Sequence, residues 1–188
     1  MSAFWVSFGL IFVAELGDKS QLLALTLAAR YRALTILAAI TAATVVVHLV
    51  SVTFGAAVGA ALPTDAISVL AGIAFLGFAV WTLRGDELDE AVAARAVTSE
   101  RSVFLTVAAA FFLAELGDKT MLATITLAAD HGFVGTWIGS TLGMVAADAL
   151  AILLGHLLGA HLPERVIRIA AAVIFAAFGV WLIWEALR

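Results

Sequence analysis

Long runs of apolar residues, separated by short polar interruptions, dominate this chain. A helix needs about 20 mostly apolar residues to cross about 30 Å of hydrocarbon. Six runs are long enough, so the pattern predicts transmembrane helices at 4–28, 33–61, 66–84, 103–128, 133–161 and 166–186. Between the third and fourth runs lies a polar stretch rich in acidic residues, which is typical of a solvated linker. We therefore expect an all-α membrane protein.

The second half of the chain repeats the first with a shift of 100 residues and no gap. Ala-Glu-Leu-Gly-Asp-Lys occurs at 14–19 and at 114–119, and Phe75 recurs as Phe175. Such self-similarity indicates an internal duplication. Because each copy contains three spans, the second copy must enter the membrane from the opposite side, as in the inverted repeats of secondary transporters. We expect a three-helix repeat at 1–84, a cytoplasmic acidic linker at 85–101 and a second three-helix repeat at 102–188.

Composition agrees with a membrane location and excludes several classes of function. Of the 188 residues, 64% are hydrophobic, and the mean hydropathy is +1.12, which is more apolar surface than a soluble domain can bury. The chain has no cysteine, so thiol catalysis and disulfides are excluded, and its net charge of −4 offers no basic surface for nucleic acid. No nucleophile–base arrangement or phosphate-binding glycine loop occurs. We therefore expect neither an enzyme nor a bound cofactor.

Arginines near the predicted span ends favour one orientation. All but the C-terminal one lie on a single side, and excess positive charge marks cytoplasmic loops. That side carries Arg30, Arg32, Arg84, Arg95, Arg101, Arg165 and Arg168, whereas the other carries Arg188. We therefore expect a multi-pass protein, surrounded by lipid, with both termini extracytoplasmic, either outside the cell or in an organelle lumen. The sequence leaves a homo-oligomer open.

Two pairs of acidic residues interrupt the first and fourth predicted spans: Glu15 and Asp18, and Glu115 and Asp118. A charge at the bilayer centre costs at least about 2.5–3.5 kcal/mol, and buried ion pairs stabilise less than apolar packing does. A structural role alone is therefore a poor explanation. On a helix with 100° per residue the two acids of a pair share a face, and inverted symmetry would bring both pairs together. Four carboxylates suit a hard divalent cation such as Mg²⁺, Ca²⁺ or Mn²⁺.

The residues that follow the acids add charge, hydroxyl groups and backbone freedom. With two lysines the four carboxylates sum to −2, which one divalent cation or two protons would neutralise, and a site that holds either but not both is an exchanger. The glycines permit close helix packing or a local break. The hydroxyls are extra oxygen ligands or helix back-bonders, and the two residues after them line the site or pack. These supporting residues are Gly17, Lys19, Ser20, Gln21, Gly117, Lys119, Thr120 and Met121.

A histidine and an aspartate occupy equivalent positions of the two copies. His48 and Asp148 lie in the middle of the second and fifth predicted spans. Ionisable groups inside a membrane commonly form proton relays. The two residues are therefore candidates for a relay, and a packed polar pair is the alternative.

The doubled Glu-x-Gly-Asp-Lys-[Ser/Thr] motif resembles that of the Gdt-type cation/proton exchangers. This family includes Golgi manganese and calcium transporters and bacterial manganese exporters, and the resemblance covers residues 4–184. It implies export of Mn²⁺, with Ca²⁺ as the second choice, in exchange for protons across the inner (plasma) membrane, and it assigns metal binding to the motif acids. Many relatives have Gln after the motif in both halves, so Gln21 fits the family and Met121 departs from it.

Two other functions compete with the exchanger. An exporter of small organic solutes such as amino acids could hold an ammonium group with the same acids, and a solute carboxylate with Lys19 or Lys119. A membrane scaffold that transports nothing could use the acids to join helices. Competition by amino acids would support the former, and absence of any flux the latter.

Overall fold

The computed structural model describes residues 2–28, 30–84, 100–158 and 164–188, and every regular element in these ranges is an α-helix. Almost all of the linker predicted at 85–101 lies outside the described residues, and so does the side chain of Lys19. The helices are α1 (Ala3–Glu15), α2 (Lys19–Ala28), α3 (Ala33–Ala61), α4 (Thr64–Arg84), α5 (Glu100–Glu115), α6 (Lys119–His131), α7 (Phe133–Leu158) and α8 (Glu164–Ala186).

Four of these helices are long and apolar enough to cross a membrane, counted over the described ranges alone. They are Ala33–Ala61, Thr64–Leu83, Phe133–Leu154 and Ile169–Ala186. Each coincides with a span predicted from the apolar runs. The chain is therefore a multi-pass, all-helical membrane protein.

The first and fourth predicted spans are each divided into two helices at the acidic motif. α1 ends at Glu15 and α2 begins at Lys19, while α5 ends at Glu115 and α6 begins at Lys119. The continuous helix that the 100° periodicity assumed across the motif is therefore wrong. An unwound segment within a membrane span frees backbone groups, which is tolerated where protein surrounds them.

Helices from the two halves of the chain pack against each other. α1 lies on α7, α3 lies on α5 and α6, and α4 lies on α8. Glycines allow the closest contacts: a Cβ atom at Gly55 of α3 would collide with the backbone oxygen of Ile125 in α6, and one at Gly139 of α7 with that of Phe4 in α1. Small residues are the usual means of close helix approach in membranes. Gly55 and Gly59 form a G-x-x-x-G pattern in α3, and both lie against the backbone of α6, so they allow these two helices to pack closely.

The C-terminal end of α6 is fastened to α4. The Ser68 hydroxyl donates to Oδ1 of Asp130 at 2.8 Å, and Nδ1 of His131 lies 2.7 Å from Oδ2 of the same carboxylate. Burial opposes ionisation of Asp130, but the neighbouring imidazole and hydroxyl outweigh it and hold the pKa of this carboxyl below its ordinary value of 3.8. The group lies between the predicted fourth and fifth spans.

We expect Asp130→Asn to lower the midpoint of thermal unfolding in detergent at pH 7 by about 2–4 °C, which corresponds to about 1 kcal/mol in a chain of this size. Because the folded pKa is depressed, the stabilisation is fully present above the unfolded value and disappears as the pH falls through the folded one. Unfolding of both proteins at pH 7 and pH 3 checks this. A difference that is unchanged at pH 3 would contradict it.

Candidate functional site

Each copy of the motif forms a tight turn around its glycine. Gly17 has φ of 74° and Gly117 has φ of 80°, a backbone conformation that side-chain-bearing residues rarely adopt. In each copy the aspartate N–H donates to the glutamate carbonyl, at 3.1 Å in the first and 3.3 Å in the second. Of the two roles considered for these glycines, the local break is the one adopted. We call residues 16–18 and 116–118 the first and second motif turns.

The hydroxyl that follows each motif donates to the glutamate of the same copy. The Ser20 hydroxyl donates to Oε1 of Glu15, and the Thr120 hydroxyl donates to Oε2 of Glu115 at 2.8 Å. The expected alternatives, extra ligand or back-bonder to the helix, did not include this arrangement. The hydroxyls orient the glutamates, because a bonded carboxylate loses rotational freedom about its terminal torsion.

A buried ion pair joins the two halves. Nζ of Lys119, at the start of α6, lies 2.6 Å from Oδ1 of Asp18 in the first motif turn. Both residues are less than 5% exposed. The Lys119 ammonium also interacts electrostatically with Glu15 and Asp118. One cationic side chain thus interacts with carboxylates of both copies.

The four motif acids form one electrostatic group. Each is at most 3% exposed, and Glu115 interacts with both Asp18 and Asp118, while Glu15 interacts with Glu115. Within the described residues, Oε2 of Glu15 and Oε1 of Glu115 have no hydrogen-bond partner. Buried oxygens without a partner are rare and indicate a missing ligand or a functional role. No three His, Asp or Glu side chains of the described residues converge on a single point as metal ligands would.

The residues at 21 and 121 contact the motif turns but differ in chemistry. Oε1 of Gln21 accepts a hydrogen bond from the Gly17 N–H at 2.7 Å, and its Nε2 donates to the carbonyl of Ala147 in α7 at 2.9 Å. Met121 accepts from the Gly117 N–H through its sulfur, at 3.2 Å. The contact with Ala147 could not be predicted from the sequence, because it is made by a backbone carbonyl, which every residue has.

The two relay candidates are fully buried on α3 and α7. Asp148 interacts electrostatically with Glu15 and Asp18, so it belongs to the acidic group. Both ring nitrogens of His48 and both carboxyl oxygens of Asp148 have no hydrogen-bond partner in the part of the chain that the structure describes. A role in proton transfer for the pair stays a prediction.

Known proteins resemble this chain over nearly its whole length. The family described as "Divalent cation/proton antiporter GDT1" matches residues 3–90 and 103–188. The "Putative manganese exporter" of Vibrio cholerae serotype O1 is 38% identical over 93% of this chain and 87% of its own length. "GDT1-like protein 2, chloroplastic" of Oryza sativa subsp. japonica is 31% identical over 95% of this chain, which spans only 60% of that protein. "GDT1-like protein sll0615" of Synechocystis is 28% identical over 98% of both chains. No solved structure matches.

Proposed function

Because this chain belongs to the GDT1 family of divalent cation/proton antiporters, we propose that it exports Mn²⁺ from the cytosol in exchange for protons. The observation that carries the proposal is the buried group of four motif acids, in which a cation from one half, Lys119, contacts Asp18 of the other half at 2.6 Å. A family of transporters is not a family of enzymes, so the acids are assigned to ion binding and not to a reaction.

We propose six spans arranged as two inverted repeats. At about 1.5 Å per residue, α1 with 13 residues and α2 with 10 together extend about 35 Å, enough for about 30 Å of hydrocarbon. α5 and α6, with 16 and 13 residues, extend further. The two broken pairs thus supply the first and fourth spans beside the four long helices. Transporter sites commonly lie at such broken helices near the midplane.

Contacts between equivalent positions support the inverted arrangement. The rings of Phe75 and Phe175 lie 5.7 Å apart between α4 and α8, and the Thr44 hydroxyl donates to the sulfur of Met144 at 3.3 Å. A residue can touch its own repeat partner only near the axis that relates the two copies. The proposed boundaries stay at 1–84 and 102–188, with the linker 85–101 in the cytoplasm and both termini outside, as the arginine distribution favours.

The motif acids would hold the ion, with Glu15 and Asp18 from one half and Glu115 and Asp118 from the other. Ser20 and Thr120 fix one oxygen of each glutamate and leave the other for the substrate. An arriving Mn²⁺ would displace the Lys119 ammonium from Asp18, since both are cations that compete for the same carboxylate. Protons arriving from outside would neutralise the acids and release the metal, with Asp148 and His48 as the route.

Oxygen ligands alone do not separate Mn²⁺ from Ca²⁺, because both are hard cations. Manganese is preferred here because the Vibrio relative carries that substrate in its name. Ca²⁺ is the second choice. Inhibition of Mn²⁺ flux by Ca²⁺, and of Ca²⁺ flux by Mn²⁺, would rank the affinities of the two ions.

Proteoliposomes containing the purified protein, with a Mn²⁺ indicator inside and an imposed pH gradient, test the proposal. We expect gradient-dependent Mn²⁺ flux that is at least about tenfold lower in Asp118→Asn, because a neutral amide neither attracts the ion nor releases a proton. Absence of both Mn²⁺ and Ca²⁺ flux, with protein that elutes as a folded species, would contradict it.

The contact between Lys119 and Asp18 also favours a second candidate, because it shows that an ammonium group fits this carboxylate. An exporter of amino acids or other small amines would use the same contact for its substrate. In the proteoliposome assay, amino acids would then be carried and would compete with one another, and Mn²⁺ would have no effect.

A further inference from the structure

The side chain of Gln21 connects two parts of the protein that lie far apart in sequence. It is 1% exposed, and both ends of its amide are bonded: the oxygen to the Gly17 N–H at 2.7 Å and the nitrogen to the Ala147 carbonyl at 2.9 Å. The first bond holds the first motif turn. The second holds α7 at the residue before Asp148. Together they fix this turn against a helix of the other half.

The equivalent side chain in the second copy cannot make the equivalent connection. Met121 accepts a bond from the Gly117 N–H, but a thioether has no hydrogen to donate and is a weak acceptor. The matching carbonyl, that of Val47 in α3, accepts instead from the Ser51 hydroxyl of its own helix at 2.7 Å. The second motif turn is also more exposed, since Leu116 is 44% accessible whereas its counterpart Leu16 is half-buried.

We propose that Gln21 is a positioning residue that locks the first motif turn to α7, and that the second motif turn is the one that rearranges in each transport cycle. This inference rests on the proposed function. The amide that ties the first motif turn to α7 is replaced in the second copy by a thioether, and two internal repeats that are held differently need not move equally. Glu15 and Asp18 then form the fixed side of the ion site, and Glu115 and Asp118 the moving side.

Two substitutions at one position separate positioning from ion binding. Gln21→Met copies the second half, so it loses the donor for Ala147 and leaves only a weak sulfur acceptor for Gly17. Gln21→Glu keeps the oxygen acceptor for Gly17, loses the donor for Ala147 and adds an anionic oxygen. We expect both variants to lower the maximal rate of Mn²⁺ flux about tenfold, with the half-saturating concentration within about twofold of wild type. We also expect amide hydrogen exchange at Gly17 to accelerate about tenfold in Gln21→Met, which offers Gly17 the weaker acceptor.

A metal-ligand role for Gln21 gives the opposite pattern. Gln21→Glu would then bind Mn²⁺ at least as tightly as wild type and transport it, and Gln21→Met would raise the half-saturating concentration at least about tenfold. Either result would overturn the inference. If the wild-type protein itself moves no Mn²⁺, the proposed function fails instead, while the difference in exchange between Gly17 and Gly117 remains measurable.

Met121→Gln provides the converse test. If the Gln21 variants do not fold, this variant alone tests the proposal. A glutamine there can accept from Gly117 and, in place of the Ser51 hydroxyl, donate to the Val47 carbonyl, which would lock the moving turn. We expect slower exchange at Gly117 and a maximal rate about tenfold lower, with Mn²⁺ still bound at equilibrium. Slowed exchange at Gly117 with an unchanged maximal rate would refute the assignment of the moving turn.

Discussion

Asp18→Asn is expected to lower Mn²⁺ flux into proteoliposomes about a hundredfold or more. The change removes one proposed anionic ligand and also the negative charge that the Lys119 ammonium contacts at 2.6 Å. Breaking a buried ion pair by removing one partner costs about 3–5 kcal/mol, and each 1.36 kcal/mol placed on the transport barrier is a factor of about ten. The initial rate, normalised to the amount of folded protein, measures the effect.

Two controls isolate the cause of this loss. Asp65→Asn removes an exposed carboxylate from the first turn of α4 and should leave the rate within about twofold of wild type. The double variant Asp18→Asn with Lys119→Gln removes both charges, so it should recover much of the lost thermal stability without recovering transport. Full transport by the double variant would reduce the pair to a structural link between the halves and would contradict the assignment of Asp18 to ion binding.

Gly55→Ala is expected to produce the largest loss of stability among single-methyl additions to α3. A Cβ atom at this position would collide with the Ile125 backbone oxygen and lie 2.8 Å from Cβ of Ala128, both on α6. Neither group can rotate away, so the helices must separate. Overpacking of this kind costs about 1–3 kcal/mol, which lowers the midpoint of thermal unfolding in detergent by about 5 °C.

Gly77→Ala is the matched control for this substitution. Gly77 lies within α4 and a Cβ atom there would meet nothing within 4 Å. Because alanine favours a helix over glycine by up to about 1 kcal/mol, the control should be neutral or slightly stabilising. Equal destabilisation by both changes would mean that helix spacing at Gly55 is not the cause.

The long helices could be predicted from the sequence because they depend on one local property. The apolar run at 33–61 coincides with α3, and the run at 66–84 differs from α4 only by two residues at its start. The sequence could not decide whether Gly17 and Gly117 break a helix, since glycine is suited equally to close packing and to sharp turns. The choice between them depends on the surrounding helices, which no local pattern describes.

The residue types of the candidate site could be predicted from the sequence, but the contacts between those residues could not. Intramembrane charge and the repeat single out Glu15 and Asp118 without any structure, because such charges are costly wherever they lie. That Lys119 contacts Asp18, that Ser20 bonds Glu15 and that Gln21 reaches Ala147 depend on distances across the fold. The 100° periodicity could not predict these contacts, because it assumes a continuous helix and the helix ends between the two acids of each pair.

The ion pair between Asp18 and Lys119 has a consequence for biosynthesis. Ribosomes add about 5–20 residues per second, so the ammonium that Asp18 contacts in the finished protein is synthesised about 5–20 seconds after Asp18 itself. During that interval the first half must reach the bilayer with its acids near the surface or protonated. Under the proposed six-span arrangement, the first span therefore lacks its Lys119 contact until the fourth span is made. We expect a nascent chain released before residue 119 to be degraded by membrane quality control faster than the full chain.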